Sequence, residues 1–244
     1  MARHLQMRSA NPALNFSDVR TGRYSQSEVM TMEGTVNKTL FSLFLLTLAA
    51  SYSWSNPGSI LMPIGMFGGT IMALITIFKK TWSQYTVTAY SVLKGLFLGG
   101  ISYKFESRYP GIASQAVFLT FSVLGVLLLA YRSKWIVVTD KFRLGVVAAT
   151  GGIFLVYFIG FIMSFFGSGL SFLHNSSMIS IGFSLLVVGI ASMNLVLDFD
   201  FIESSSERGL PKYMEWYGAF ALLVTLIWLY IEILRLLSKL NSRR

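Results

Sequence analysis

Residues 194–203 read Asn194-Leu-Val-Leu-Asp198-Phe-Asp200-Phe-Ile-Glu203, and they decide the fold. They close an apolar run that begins at Ile179 and set acids where that run meets water. A greasy run of this length that stops at charge has the form of a membrane-crossing helix reaching an interface.

Seven such runs can be marked along the chain, at 39–55, 60–78, 86–103, 114–131, 143–166, 177–199 and 216–238. Each spans about 17–24 residues, the length a helix needs to cross ~30 Å of hydrocarbon. Helices are the expected spanning form, because each backbone amide must be satisfied inside its own segment. The alternating ten-residue segments of a membrane barrel are missing from the sequence. Composition agrees: of 244 residues 54% are hydrophobic and 13% charged, against about 25% charged in a typical soluble domain. The expectation is an all-α polytopic membrane protein with a polar tail at 1–36, seven spans within 37–240 and a basic end at 241–244.

The breaks between runs carry turn chemistry. Ser55-Asn56-Pro57-Gly58, Tyr109-Pro110-Gly111, Gly167-Ser168-Gly169 and the polar stretch from Glu203 to Pro211 all read as loops. Residues 1–36 lack the apolar core and small-residue site of a cleavable signal, so the first span is expected to direct insertion itself. No internal repeat supports an inverted-repeat transporter. Glycines pair at four-residue spacing, Gly65 with Gly69 and Gly95 with Gly99, which suits close helix packing. Trp54, Trp82, Trp135, Trp216, Tyr85, Tyr109 and Tyr131 sit near span ends, as interfacial anchors do.

The net charge of +9 would suggest nucleic acid in a soluble protein. Here the cations lie in short loops, so topology is the better account and no nucleic-acid partner is expected. A cytoplasmic N-terminus puts thirteen Lys and Arg inside, against six outside: Lys104, Arg108, Arg235, Lys239, Arg243 and Arg244. The basic tail is the exception to the rule, and it leaves the crossing of the last segment open.

Candidate chemistry rests on the few ionisable groups in or beside the runs: Lys79, Lys94, Asp198, Glu232 and Arg235. A mid-bilayer charge costs at least ~2.5 kcal/mol on insertion scales, so it normally meets a partner or a water-filled cavity. Asp198 and Lys79 end their runs at the same side, with Asn194 one turn before Asp198 and with Lys79 and Lys94 as the available counter-charges. Glu232 lies sixteen residues beyond Trp216, about 24 Å up its helix, too far to pair with Asp198. Arg235, three residues on, is its natural partner. With no cysteine, no phosphate loop and no histidine pair (His4 is in the tail, His174 in an outer loop), neither an enzyme, a cofactor nor a metal site is expected.

The sequence resembles the Bax inhibitor family of seven-span membrane proteins, in its bacterial YccA-like branch. The resemblance covers about 32–240. It is carried by Met32-Glu-Gly-Thr-Val-Asn-Lys-Thr39, Gly95-Leu-Phe-Leu-Gly-Gly-Ile-Ser102, Asn194–Ile202 and Leu226-Ile-Trp-Leu-Tyr-Ile-Glu-Ile-Leu-Arg-Leu-Leu237. It implies a bundle in the bacterial cytoplasmic membrane with the last helix central and the other six around it. For some members it also implies a pH-sensitive calcium leak, in which an aspartate ending helix six pairs with one inside helix seven and a helix-two arginine acts as latch. By position these fall on Asp198, Thr225 and Lys79, so a threonine replaces the second acid and a lysine the arginine. Lys94 stands where close relatives often carry glutamate. For other members the resemblance implies association with a membrane-bound ATP-dependent protease. The expected partners are therefore the lipid bilayer, calcium or another cation, and such a protease. Two readings follow: a cation leak gated by titration of Asp198, and a non-conducting protease regulator or substrate engaged through residues 1–36.

Overall fold

The computed structural model describes residues 29–166 and 177–243, and these form seven long helices. In order they are α1 (Met32–Ser55), α2 (Leu61–Phe78), α3 (Ser83–Glu106), α4 (Ile112–Arg132), α5 (Asp140–Phe165), α6 (Met178–Glu207) and α7 (Met214–Asn241). A single 3-10 turn, Lys80–Trp82, joins α2 to α3. Most of the tail, His4, His174 and the Gly167–Gly169 turn lie outside the described residues.

Each helix matches one apolar run, but several extend well past it. α1 starts at Met32, where Thr31 caps it by accepting the amide of Gly34 at 3.0 Å. α6 runs on to Glu207 and stops at Gly209, whose positive φ of 64° suits glycine and ends the helix ahead of Pro211. Hydropathy marks only the portion in hydrocarbon, whereas the hydrogen-bond ladder continues until a breaker arrives. Five of the seven helices are long and apolar enough by composition to cross a membrane: α2, α4, α5, α6 and α7. α1 and α3 are more polar because their buried stripes are built from small and hydroxyl residues.

On α1 the buried positions are Thr35, Thr39, Ser42, Leu46, Ala49 and Ser53, spaced by fours and threes. The opposite stripe, with Leu40, Phe41, Phe44, Leu48 and Tyr52, is exposed. The same inversion recurs on α5, where Val146, Ile153 and Gly160 alone are buried while Phe154, Phe158 and Phe161 face out. A protein dissolved in water could not carry so much exposed apolar surface. In a bilayer that surface is solvated, and small residues inside let backbones approach. Gly95 and Gly99 show how close: a Cβ built there would stand 2.3 Å from the Leu46 carbonyl oxygen and 2.1 Å from that of Ala50. Gly65 does the same service for α2 against α3, 2.3 Å from the Leu93 carbonyl.

The last helix is the centre. α7 is buried on nearly every face from Met214 to Leu234, and packs against α1, α3, α4 and α6. α2 leans chiefly on α3, and α5 on α6.

Candidate functional site

α6 delivers three acids to one end of the bundle, and helical geometry separates them. At 3.6 residues per turn, Asp200 is rotated about 200° and Glu203 about 140° from Asp198. Asp200 therefore meets Arg143 of α5, with Nη2 2.5 Å from Oδ2. Glu203 accepts a short hydrogen bond from the Tyr131 hydroxyl of α4. Asp198 alone turns inward toward α7, at 2% exposure. What looks like an acidic cluster in the sequence is three single carboxylates facing three different helices.

Among the described residues the inward acid has one side-chain hydrogen-bond partner. Thr225, on the buried face of α7 at 6% exposure, is hydrogen-bonded to the Asp198 side chain. The second carboxylate oxygen, Oδ2, has no hydrogen-bond partner among the described residues. No salt bridge there reaches Asp198 either, so its ionised form would have no cation to offset its burial.

The expected counter-charges go elsewhere. Lys79 ends α2 exposed, where the backbone leaves the helix at φ −122° and ψ 68°. That turn brings in the next residue instead: the Lys80 ammonium stands 5.4 Å from the ring centre of Tyr217. Lys94 lies along Gly69, with Nζ 3.4 Å from Thr70 Oγ1 and 5.5 Å from the Phe97 ring centre, so it faces α2. Asn194, expected beside Asp198, donates to Thr150 Oγ1 at 2.8 Å and to the Ile190 carbonyl at 2.9 Å. Residues one turn apart share a face only broadly, and here one points to α5 and the other to α7.

Glu232 and Arg235 do meet, at 3.1 Å. The Tyr157 hydroxyl of α5 also lies 3.0 Å from both oxygens of Glu232, and the Arg235 guanidinium sits over the Tyr157 ring at 5.4 Å. The pair thus belongs to a closed network, remote from Asp198 in its bonding.

A second buried acid, not singled out from the sequence, ties the chain entry to the central helix. Glu215 lies in the first turn of α7, ahead of the apolar 216–238 stretch, and is fully buried. It accepts from the Thr31 amide at 2.9 Å and the Thr31 hydroxyl at 2.8 Å, makes a close ion pair with Lys38, and lies 3.2 Å from Lys212. Gly34 admits it, since a Cβ there would overlap the carboxylate. Burial raises its proton affinity, but the Lys38, Thr31 and Lys212 hydrogen bonds outweigh that and hold Glu215 below the usual carboxylate range. Above this latch Met30, 1% exposed, donates its amide to the Leu210 carbonyl at 2.7 Å, and Val29 bridges to Pro211. The sequence signal was faint: an acid in a first helical turn is ordinary.

Among the described residues no three His, Asp or Glu side chains converge as a metal set. The arrangement buries one carboxyl where α6 packs on α7, and it holds Val29–Thr31 against the α6–α7 loop. A family model described as Bax inhibitor 1 like matches residues 11–242. No curated protein matches the chain.

Proposed function

The chain belongs to the Bax inhibitor 1 like family and is an integral membrane protein, and from that premise we propose that it is a pH-sensitive cation leak, with calcium as the ion to try first, gated by titration of Asp198. The observation that carries this reading is a carboxylate enclosed where α6 crosses α7, with one oxygen free of any described partner and Thr225 on the other side. A charge change at such a point alters how two packed helices meet, which is what a switch needs. The bacterial cytoplasmic membrane, with the N-terminus inside, belongs to the same reading. It rests on the count of flanking Lys and Arg. Thr225 is assigned the role of holding the Asp198 carboxyl. Lys79 and Lys94 are assigned none in contact with it.

A second reading is favoured by the strap at Val29–Thr31. It fastens Val29–Thr31 to the α6–α7 loop, at the same end of the bundle as Asp198. On that reading the chain is a non-conducting regulator or substrate of a membrane-bound ATP-dependent protease, engaged through the tail. Reconstituted calcium flux of the full chain at two pH values separates the two. Flux that changes with pH supports the leak. Absent flux, with turnover in cells altered by deletion of residues 1–28, supports the regulator. Absent flux and unchanged turnover contradict both.

A further inference from the structure

Three of the six basic residues counted on the outer side meet at the end of the bundle opposite Asp198. There the last turns of α3 and α7 enclose a cavity of about 350 Å³ lined by Lys104, Phe105, Arg108, Tyr109, Ser238, Lys239 and Ser242. Three of these seven are cations and none is an acid. Lys239 is 8% exposed, anchored by donating to Ser184 Oγ at 2.7 Å and the Ser180 carbonyl at 3.4 Å. Both acceptors are neutral. Lys104 and Arg108 are exposed, and no salt bridge among the described residues includes either.

The acids close by are already committed. Glu106 accepts the amides of Gly111 at 2.5 Å and Ala113 at 2.9 Å, capping α4. Glu232 is held by Tyr157 and Arg235. Three like charges around one hollow repel each other, and one of them is almost fully removed from water. An anion seated among them would relieve that repulsion. Lys104 and Lys239 also fall just past the apolar stretches of α3 and α7, at the depth of lipid headgroups. The volume is of small-ligand size, and the Tyr109 hydroxyl adds a polar group to the cations.

We propose that the cavity between the ends of α3 and α7 is a binding site for a phosphate-bearing anion, held by Lys104, Arg108 and Lys239. The phosphate can come from a lipid headgroup or from solution, and the test separates these. The full-length protein is purified in detergent, and bound lipid is counted by native mass spectrometry after supplying phosphatidylglycerol or phosphatidylcholine. Inorganic phosphate is titrated separately against thermal stability. The variant is Lys104→Gln with Arg108→Gln, both exposed, so folding is preserved. A lipid source predicts phosphatidylglycerol retained at least about tenfold over phosphatidylcholine, with about tenfold or greater loss in the variant. A soluble source predicts stabilisation by inorganic phosphate that the variant loses, with no lipid preference. Equal retention of both lipids together with no phosphate stabilisation overturns the site, as does any anion binding that the double variant leaves unchanged. Lys239→Met adds a check on the buried cation, read by the same lipid ratio.

Discussion

The two ends of the bundle handle charge in opposite ways. At the end where α6 finishes and α7 begins, three buried or half-buried acids are matched: Asp200 with Arg143, Glu215 with Lys38 and Lys212, and Glu203 with Tyr131. Asp198 is the exception, enclosed with no salt bridge among the described residues. At the other end the excess is basic, and Lys104, Arg108 and Lys239 share a hollow with no acid in its lining. A charge paired across helices fastens the fold. A charge left without its opposite is available for protons, ions or ligands.

The largest stability effect should come from breaking the paired end. Glu215→Ala leaves the Thr31 amide and Lys38 without their acceptor, and a loss of about 3 kcal/mol is expected in detergent unfolding, the lower end for a broken buried pair because Lys38 can reach water. The same residue sets a pH window. Its folded affinity for protons is lowered, so its contribution is full above the unfolded value of about 4.3 and is lost as pH falls through the lower folded value. Between pH 5 and 8 the latch should hold unchanged, and the acid-induced loss below pH 4 should shrink in Glu215→Gln. A latch that loosens between pH 6 and 8 would make it, rather than Asp198, the sensor.

Glu106→Gln tests an acid that serves the basic end. It weakens the cap on α4, so a cost of about 1 kcal/mol is expected from thermal unfolding. Smallest is Lys104→Gln with Arg108→Gln, expected within about 0.5 kcal/mol of the parent, since exposed charges without partners stabilise little. Should that double variant cost more than Glu215→Ala, the contrast between the ends is wrong.

Much of the fold was legible in the sequence. Seven apolar runs became seven helices because hydrocarbon length and backbone satisfaction leave one solution, and the Gly95 and Gly99 spacing marked where α1 touches α3. The Glu232–Arg235 pair was legible because three residues on a helix are neighbours. Contacts between helices were not. Glu215 meets Lys38 across 177 residues, which no local spacing reveals. Whether Lys79 or Lys80 turns inward depends on one backbone rotation after Phe78. Asp198 could be singled out for its position in greasy sequence, but its lack of a counter-charge emerged only when α2, α3 and α7 were packed.

The central claim is that the charge on Asp198 controls passage through the bundle. Calcium flux into proteoliposomes at pH 6 and pH 8, compared between the parent and Asp198→Asn, tests it most directly. The account predicts different flux at the two pH values in the parent and equal flux in the variant. The same pH response in both proteins would contradict it.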